Sequence, residues 1–221
     1  MSKKRTKIPW PTRDAMAQIY EQGLWGSGDS EFYSGEGSHH PDLVAPYVKV
    51  VSEFLQSLEE PPVVVDLGCG DFNVGKQLLP YAKQYIAVDI VEELIAFNKT
   101  QFKADHLEFH CLDIAKDILP QGDVAILRQV LQHLSNKEIQ QILPKLKPYK
   151  YVILTEHIPE GDFKPNLDII SGQGTRLKQG SGVDVLAEPF NYDVNTMKHL
   201  LTLKSSNQKG RIISLLLQLR N

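Results

Sequence analysis

The run Val63-Val64-Val65-Asp66-Leu67-Gly68-Cys69-Gly70 narrows the possible folds more than any other stretch of this chain. Three β-branched residues in succession suit a strand covered on both faces, as in a parallel sheet. Asp66 ends the apolar run. Gly68 and Gly70 permit a tight turn and a close approach of backbone to a ligand. From about Asn73 onward a helix can begin, with its N-terminal amides aimed at the same point. Strand, glycine loop and helix in this order make a nucleotide-type cofactor site in an open α/β sheet. The dinucleotide fingerprint G-x-G-x-x-G is not met, because Gly75 comes two positions late. A carboxylate at Asp66 also repels a pyrophosphate and suits a cation.

The pattern of strands and helices continues. Tyr85-Ile86-Ala87-Val88-Asp89 reads as a second strand ending in an acid nineteen residues after Gly70. An acid at that distance hydrogen-bonds ribose hydroxyls, so Asp89 is the expected ribose ligand, with a solvated strand end as the alternative. Further strands are expected over 107–112, 123–127 and 151–156. Residues 197–204 and 211–220 read as an antiparallel hairpin around 205–210. Apolar residues at helical spacing mark 11–22, 42–58 and 91–102.

The Asp-Leu-Gly-Cys-Gly motif after an apolar run, Asp89, and Arg128-Gln129-Val130-Leu131-Gln132-His133-Leu134 after the fourth strand form a recognisable set. Together they resemble the class I S-adenosylmethionine-dependent methyltransferases over roughly residues 61–221. The resemblance implies an α/β fold: a Rossmann-like, doubly wound, mostly parallel seven-stranded sheet with a C-terminal antiparallel hairpin. A single domain is expected, with residues 1–60 as an N-terminal helical cap or lid and 61–221 as the cofactor-binding core. The implied cofactor is S-adenosylmethionine. Asp66, Gly68, Cys69 and Gly70 would hold its amino-acid end, and Ile90 would lie beside Asp89. Asp113 and Ile114 would meet the adenine amino group and ring, unless Asp113 instead caps a short helix over 114–118. Arg128 would pair with the cofactor carboxylate through a bidentate contact, and Gln129 would bond to the same group.

Two stretches fall outside the regular pattern. Residues 159–194 are rich in glycine, proline and polar groups where the family usually carries a helix. A loop this long is either functional or disordered. It is read here as a substrate-loop insertion, with Arg176, Lys178 and Asp184 facing the acceptor. Residues 24–40 mix Trp25, Phe32 and Tyr33 with four glycines. They read as a lid in which Trp25 and Tyr33 cover the site, or else as a surface loop with one anchoring Trp.

The methyl group of such a cofactor is already activated, so the protein mainly positions the nucleophile. A base is needed only where the acceptor must lose a proton. His157, directly after the fifth strand, and His133 are the leading catalytic candidates, with His39, His40 and Glu156 behind them. Local packing is the alternative for His133. No Asn-Pro-Pro-Tyr-like motif follows the fourth strand, which lowers base-amino acceptors. A small-molecule or sugar hydroxyl is the leading acceptor. An amine, a protein side chain, or a non-catalytic cofactor-binding module are the alternatives.

Composition sets outer bounds. The 221 residues suffice for one α/β domain, and a net charge of −3 argues against nucleic acid as the main partner. No stretch approaches the roughly eighteen apolar residues that span a bilayer, so no membrane partner is expected. The basic start Lys3-Lys4-Arg5 lacks the apolar run of a signal peptide and reads as a frayed terminus. The two cysteines, Cys69 and Cys111, have no metal-ligand spacing, so no metal is expected. Two unpaired thiols suit a reducing cytoplasm.

Overall fold

The computed structural model describes residues 10–28, 30–204 and 210–220. Seven strands form one sheet: β1 (Val63–Leu67), β2 (Gln84–Asp89), β3 (Leu107–Cys111), β4 (Val124–Arg128), β5 (Tyr151–Ile158), β6 (Thr196–Lys204) and β7 (Arg211–Gln218). Their order is β3-β2-β1-β4-β5-β7-β6. The first five pair in parallel. The hairpin β6–β7 closes the sheet, with β7 antiparallel to β5. The chain begins in mid-sheet and winds first to one side and then to the other. Consecutive connections therefore part between β1 and β4, and a crevice opens beyond the C-terminal ends of those strands.

Strand alternation sorts side chains onto two buried faces. One face gathers Val65, Leu67, Ile86, Val88, Ala125, Leu127, Val152 and Leu154. It is covered by α1 (Thr12–Glu21) through Met16 and Ile19, and by α6 (Asn136–Ile142) through Ile139 and Ile142. The other face gathers Val64, Tyr85, Ala87, Val124, Ile126 and Ile153, covered by Tyr47, Val51 and Leu55 of α3 (Pro41–Gln56) and by Leu78 of α4 (Gly75–Leu78). Between α1 and α3 lies α2 (Glu36–His39), and α5 (Glu92–Gln101) follows β2. The hairpin, the doubly wound sheet and the strands at 107–112, 123–127 and 151–156 follow the sequence expectation.

Three local expectations are corrected. The helix over 42–58 is not part of a cap: Tyr47, Val51 and Leu55 are buried against the sheet, so α3 is a layer of the core. Its amphipathic stripe is the stripe of any core-facing helix. Residues 114–118 form turns rather than a helix, and the helix after the glycine loop starts at Gly75 and is a single turn. The insertion at 159–194 carries only a 3₁₀ turn, Arg176–Gln179, yet Val183, Val185 and Tyr192 are buried in the same core as α6. Irregular chain here fills the layer that a helix would fill. The basic start expected to be a frayed terminus and the connection expected within the hairpin at 205–209 lie outside the described residues. Among the described residues, no helix is long and apolar enough to cross a membrane.

The placement of α3 has a measurable consequence. Leu55 is 1% exposed in the core against the sheet. Leu55→Ala should lower unfolding free energy by about 2–5 kcal/mol in urea titrations. A loss below about 1 kcal/mol would return α3 to the status of a detachable cap.

Candidate functional site

A cavity of about 780 Å³ lies at the C-terminal ends of β1, β2 and β4, the size range of small-molecule sites. Its floor is the glycine loop. Gly68 takes φ 88° and Gly70 φ 56°, a region costly for residues with a Cβ. A Cβ on Gly68 would also strike Val130 Cγ2 at 2.5 Å. The loop is tied to β2: Gly68 N and Cys69 N both donate to Val88 O, at 2.8 and 2.9 Å.

Asp89 holds the next link. Its Oδ2 accepts from Gly70 N at 3.0 Å and its Oδ1 from Val91 N at 3.2 Å. Asn98 Nδ2 donates to Gly70 O at 2.8 Å, so both polar groups of that residue are held from the β2–α5 side. Burial pushes the Asp89 carboxyl above its ordinary value, opposed by those amides. The carboxylate lines the cavity with Ile90, Leu112, Asp113 and Ile114. Asp113 Oδ1 accepts from Ala115 N at 3.0 Å and Oδ2 from Lys116 Nζ at 2.7 Å. It therefore caps the turn while bordering the cavity. The strip from Gly68 to Ile114 offers a glycine cradle, a carboxylate, and an apolar slot with an acid beside it. These are the groups that a charged amino-acid tail, a ribose and a purine each require.

Other expected residues are placed differently. Asp66 is absent from the cavity wall: it shares strand parity with Val64, which turns it toward α3 and α4. There Tyr85 donates its hydroxyl to Asp66 Oδ2 at 2.9 Å. Arg128 reaches the cavity wall, but its Nη2 donates to Gly37 O and its Nη1 to Ser38 Oγ at 3.3 Å. The guanidinium lies 4.9 Å from the Tyr47 ring centroid, so it anchors the 35–39 segment from below. Gln129, at φ 57°, lines the cavity. Cys69 lines it too, and burial raises its thiol well above the usual value.

The segment expected as a lid lies over the glycine loop. Ser34 N donates to Asp71 Oδ2 and Asp71 N to Ser34 Oγ, both at 2.8 Å. His39 Nε2 meets the same Oδ2 at 2.6 Å. Trp25 lines the cavity and packs edgewise on Tyr20, with centroids 5.4 Å apart, and at a tilt on His133, 5.1 Å away. Tyr33 is a correction. It is outside the cavity wall, stacked on His39 at 4.4 Å and donating its hydroxyl to Glu36 Oε1 at 3.1 Å. His40 accepts from Asp42 N as the N-cap of α3.

The two histidines proposed for catalysis differ. His133 Nδ1 donates to Gly172 O at 3.2 Å, and its Nε2 accepts from Gln132 Nε2 at 3.1 Å. The amide orientation is set by Gln132 Oε1, which accepts from His157 N at 3.0 Å. Burial lowers His133 to about 4. It is a neutral wall residue with both nitrogens engaged, which is the local-packing alternative. His157 lines the cavity at the end of β5. Arg176 is the second correction. It is 1% exposed and donates to the carbonyls of Leu131, Gln132, Leu134 and Leu167 instead of facing an acceptor. Lys178 lines the cavity. Asp184 does not, being engaged with Leu186 N and Asn166. Glu156 accepts from Leu131 N and Gln132 N, also away from the cavity.

Sequence reasoning missed Glu138. It lines the cavity and joins Thr12 Oγ1, Ser135 and Ser171 Oγ, binding α1, α6 and the insertion together. The Ser135-x-x-Glu138 capping box was a readable signal for the α6 start, though not for the two additional hydroxyl partners. Among the described residues, no group of three or more His, Cys, Asp or Glu is placed to hold a metal ion.

Comparison with known proteins bears on this geometry. A family model described as a methyltransferase domain matches residues 65–149, from β1 through the end of the α6 region. An uncharacterized RNA methyltransferase of Chlamydia pneumoniae is 28% identical over 150 residues, covering 63% of this chain and 36% of that one. This chain thus spans about a third of that relative's length. Among solved structures, the N-methyltransferase NodS of Bradyrhizobium japonicum, in complex with S-adenosyl-L-homocysteine, superposes with TM-score 0.67 at 13% identity, covering 94% of this chain and all of that one. The 1,6-didemethyltoxoflavin-N1-methyltransferase of Burkholderia thailandensis gives 0.61 at 13% identity, covering 97% and 94%. The magnesium protoporphyrin IX methyltransferase of Synechocystis gives 0.60 at 14%, covering 93% and 97%. Likeness at these identities concerns the fold.

Buried Asp66 makes stability depend on pH. Burial pushes its carboxyl up to about 7, against the pull of Tyr85 and Arg128. The folded state then holds a proton that the unfolded chain releases near the ordinary carboxylate value. The stabilisation is full in acid and is lost as pH rises through about 7. Urea midpoints of the ligand-free protein should fall between pH 5 and 8, and Asp66→Asn should flatten that fall. An unchanged slope in the variant would assign the dependence elsewhere.

Proposed function

We propose that the chain is a class I S-adenosylmethionine-dependent methyltransferase, an enzyme that methylates a small-molecule acceptor with S-adenosylmethionine as cofactor. The observation that carries this reading is the cradle: Gly68 and Gly70 in conformations open to glycine, with Asp89 pinned against them by two backbone amides. Asp89 retains lone pairs for two ribose hydroxyls after accepting those amides. Ile90, Leu112 and Ile114 form the slot for a flat base, with Asp113 at its edge. Gly68, Cys69 and the 35–38 segment border the amino-acid end, and Asp66 and Arg128 support that end from behind the loop. When bound, the cofactor supplies a methyl group on a positive sulfur, open to in-line displacement.

The acceptor half of the cavity is bounded by Trp25, Gln129, His157, Gln173, Thr175, Leu177 and Lys178. Its mixture of hydroxyl, amide and cationic groups suits a polar acceptor. We assign proton uptake from a hydroxyl acceptor to His157, a cavity-lining residue whose backbone is pinned by Gln132. His133 is unsuited, because its ring nitrogens are both used within the wall. An amine acceptor is the second reading, and it requires no base at this point. Cytoplasmic residence is part of the same proposal and rests on the two free thiols, Cys69 and Cys111.

Two measurements test this. Calorimetry should show S-adenosylhomocysteine binding and no heat with NAD. Asp89→Ala should weaken that binding about tenfold to hundredfold, the value of hydrogen bonds to a charged acceptor, about 1.5–3 kcal/mol. Heat with NAD alone, or full affinity in the variant, would sink the cofactor assignment. Methyl transfer from labelled cofactor into a metabolite extract then tests the activity. With a hydroxyl acceptor, His157→Gln should slow turnover about 10²–10⁴-fold. Full activity in that variant would favour an amine.

A further inference from the structure

The peptide group joining Leu131 to Gln132 sits between two buried side chains, a carboxyl and a guanidinium. Its N–H, on Gln132, donates to Glu156 Oε2 at 2.9 Å. Its C=O, on Leu131, accepts from Arg176 Nη1 at 3.2 Å. Glu156 is 4% exposed and Arg176 1% exposed. The preceding amide, Leu131 N, meets the other carboxylate oxygen at 3.1 Å. The following carbonyls, Gln132 O and Leu134 O, meet the guanidinium at 3.4 and 2.8 Å. A 3₁₀ turn, Leu131–His133, is thus held at its amide end by a carboxyl group whose two oxygens both accept and at its carbonyl end by a guanidinium. These bonds run along the peptide dipole in a buried setting and reinforce one another.

The two side chains come from different parts of the chain. Glu156 lies on β5, in the sheet. Arg176 lies in the insertion, whose Leu167 O and the Asn136 side chain complete the guanidinium's partners at 2.9 and 2.7 Å. Between them the turn carries Gln132, which holds His157 N, and His133, which packs on Trp25. His133 in turn exchanges two hydrogen bonds with Gly172 of the insertion.

We propose that Glu156 and Arg176 are positioning residues: docking of the insertion brings Arg176 onto the turn, and the pair, acting through the Leu131–Gln132 peptide, sets Gln132, His133 and Trp25 as the acceptor wall. This deepens the assignment of that half of the cavity to the acceptor, and rests on it. The cofactor strip from Gly68 to Ile114 is held by Asp89 and Asn98, independently of this clamp. Glutamine at 156 can accept only one of the two amides and turns an N–H toward the other. Lysine at 176 keeps the charge but lacks the planar fork that reaches several carbonyls together.

The test uses the full chain carrying Trp10→Phe, so that Trp25 is the sole emitter. Glu156→Gln, Arg176→Lys and the double variant are compared by amide exchange, acrylamide quenching and titration with S-adenosylhomocysteine. In each single variant, exchange at Leu131 and Gln132 should quicken at least tenfold while amides of 64–67 stay protected, which a general loss of stability would not produce. Quenching of Trp25 should rise about twofold or more, with ligand affinity within threefold of the parent. The double variant should be no worse than either single one, since each change breaks the same clamp. Unchanged quenching, equal acceleration throughout the sheet, or additive effects would overturn the proposal. Failure of the parent to bind S-adenosylhomocysteine would instead overturn the cofactor assignment, leaving exchange and quenching readable.

Discussion

The Asp89 carboxylate ties the end of β2 to the glycine loop, and the cavity is organised around that tie. A loop running through two left-handed glycines has no helix or ladder to hold it, so its polar groups need partners elsewhere. Asp89 supplies one for Gly70 N, Asn98 one for Gly70 O, and Val88 O two more for Gly68 and Cys69. The floor of the cavity is therefore tied directly to the parallel sheet from which it emerges. A ligand held there meets preformed groups, and little of its binding energy goes into ordering the loop.

Much of this was legible in the sequence because it is local. The valine run, the glycines and the acid nineteen residues beyond Gly70 all belong to short segments whose periodicity or turn chemistry states their role. Asp66 shows where local reasoning stopped. Its place beside the loop suggested a ligand, but strand parity puts it with Val64 on the far face, against Tyr85. That parity was present in the pattern and needed only to be counted. Arg176 is different. Nothing in Ser-Gly-Gln-Gly-Thr-Arg distinguishes a guanidinium aimed at an acceptor from one buried among carbonyls forty residues away in sequence. Partners for an irregular segment are long-range, and a single sequence carries no period that reveals them. The α3 stripe was visible as amphipathic, while the identity of its partner face was not.

Four ionisable side chains beside the site, Asp66, Arg128, Glu156 and Arg176, are satisfied without a simple ion pair. Asp66 rests on a tyrosine hydroxyl, Arg128 on a carbonyl, a serine and a tyrosine face, Glu156 on two amides, and Arg176 on four carbonyls and an amide oxygen. Backbone dipoles do most of the solvating. An isolated buried charge is costly, and satisfying it through backbone fixes the backbone as firmly as the charge. Arg128 fixes the 37–38 segment and Arg176 the 131–134 turn. Positive charge is thus used to shape walls, and the surface left facing the cavity is largely neutral apart from Asp89, Asp113, Glu36, Glu138 and Lys178.

Two layers of chain close over the crevice from opposite ends of the sequence, and they meet on shared side chains. Asp71, directly after the glycine loop, receives Ser34 and His39. Glu138, at the start of α6, joins Thr12 of α1 to Ser171 of the insertion. Gln173 Nε2 donates to Leu24 O at 2.8 Å, linking the insertion directly to the N-terminal segment. Displacing either layer removes partners from the other, so opening the cavity on one side loosens both. The glycine loop with Asp89 lies beneath the first layer, and the second packs on His133 through Gly172.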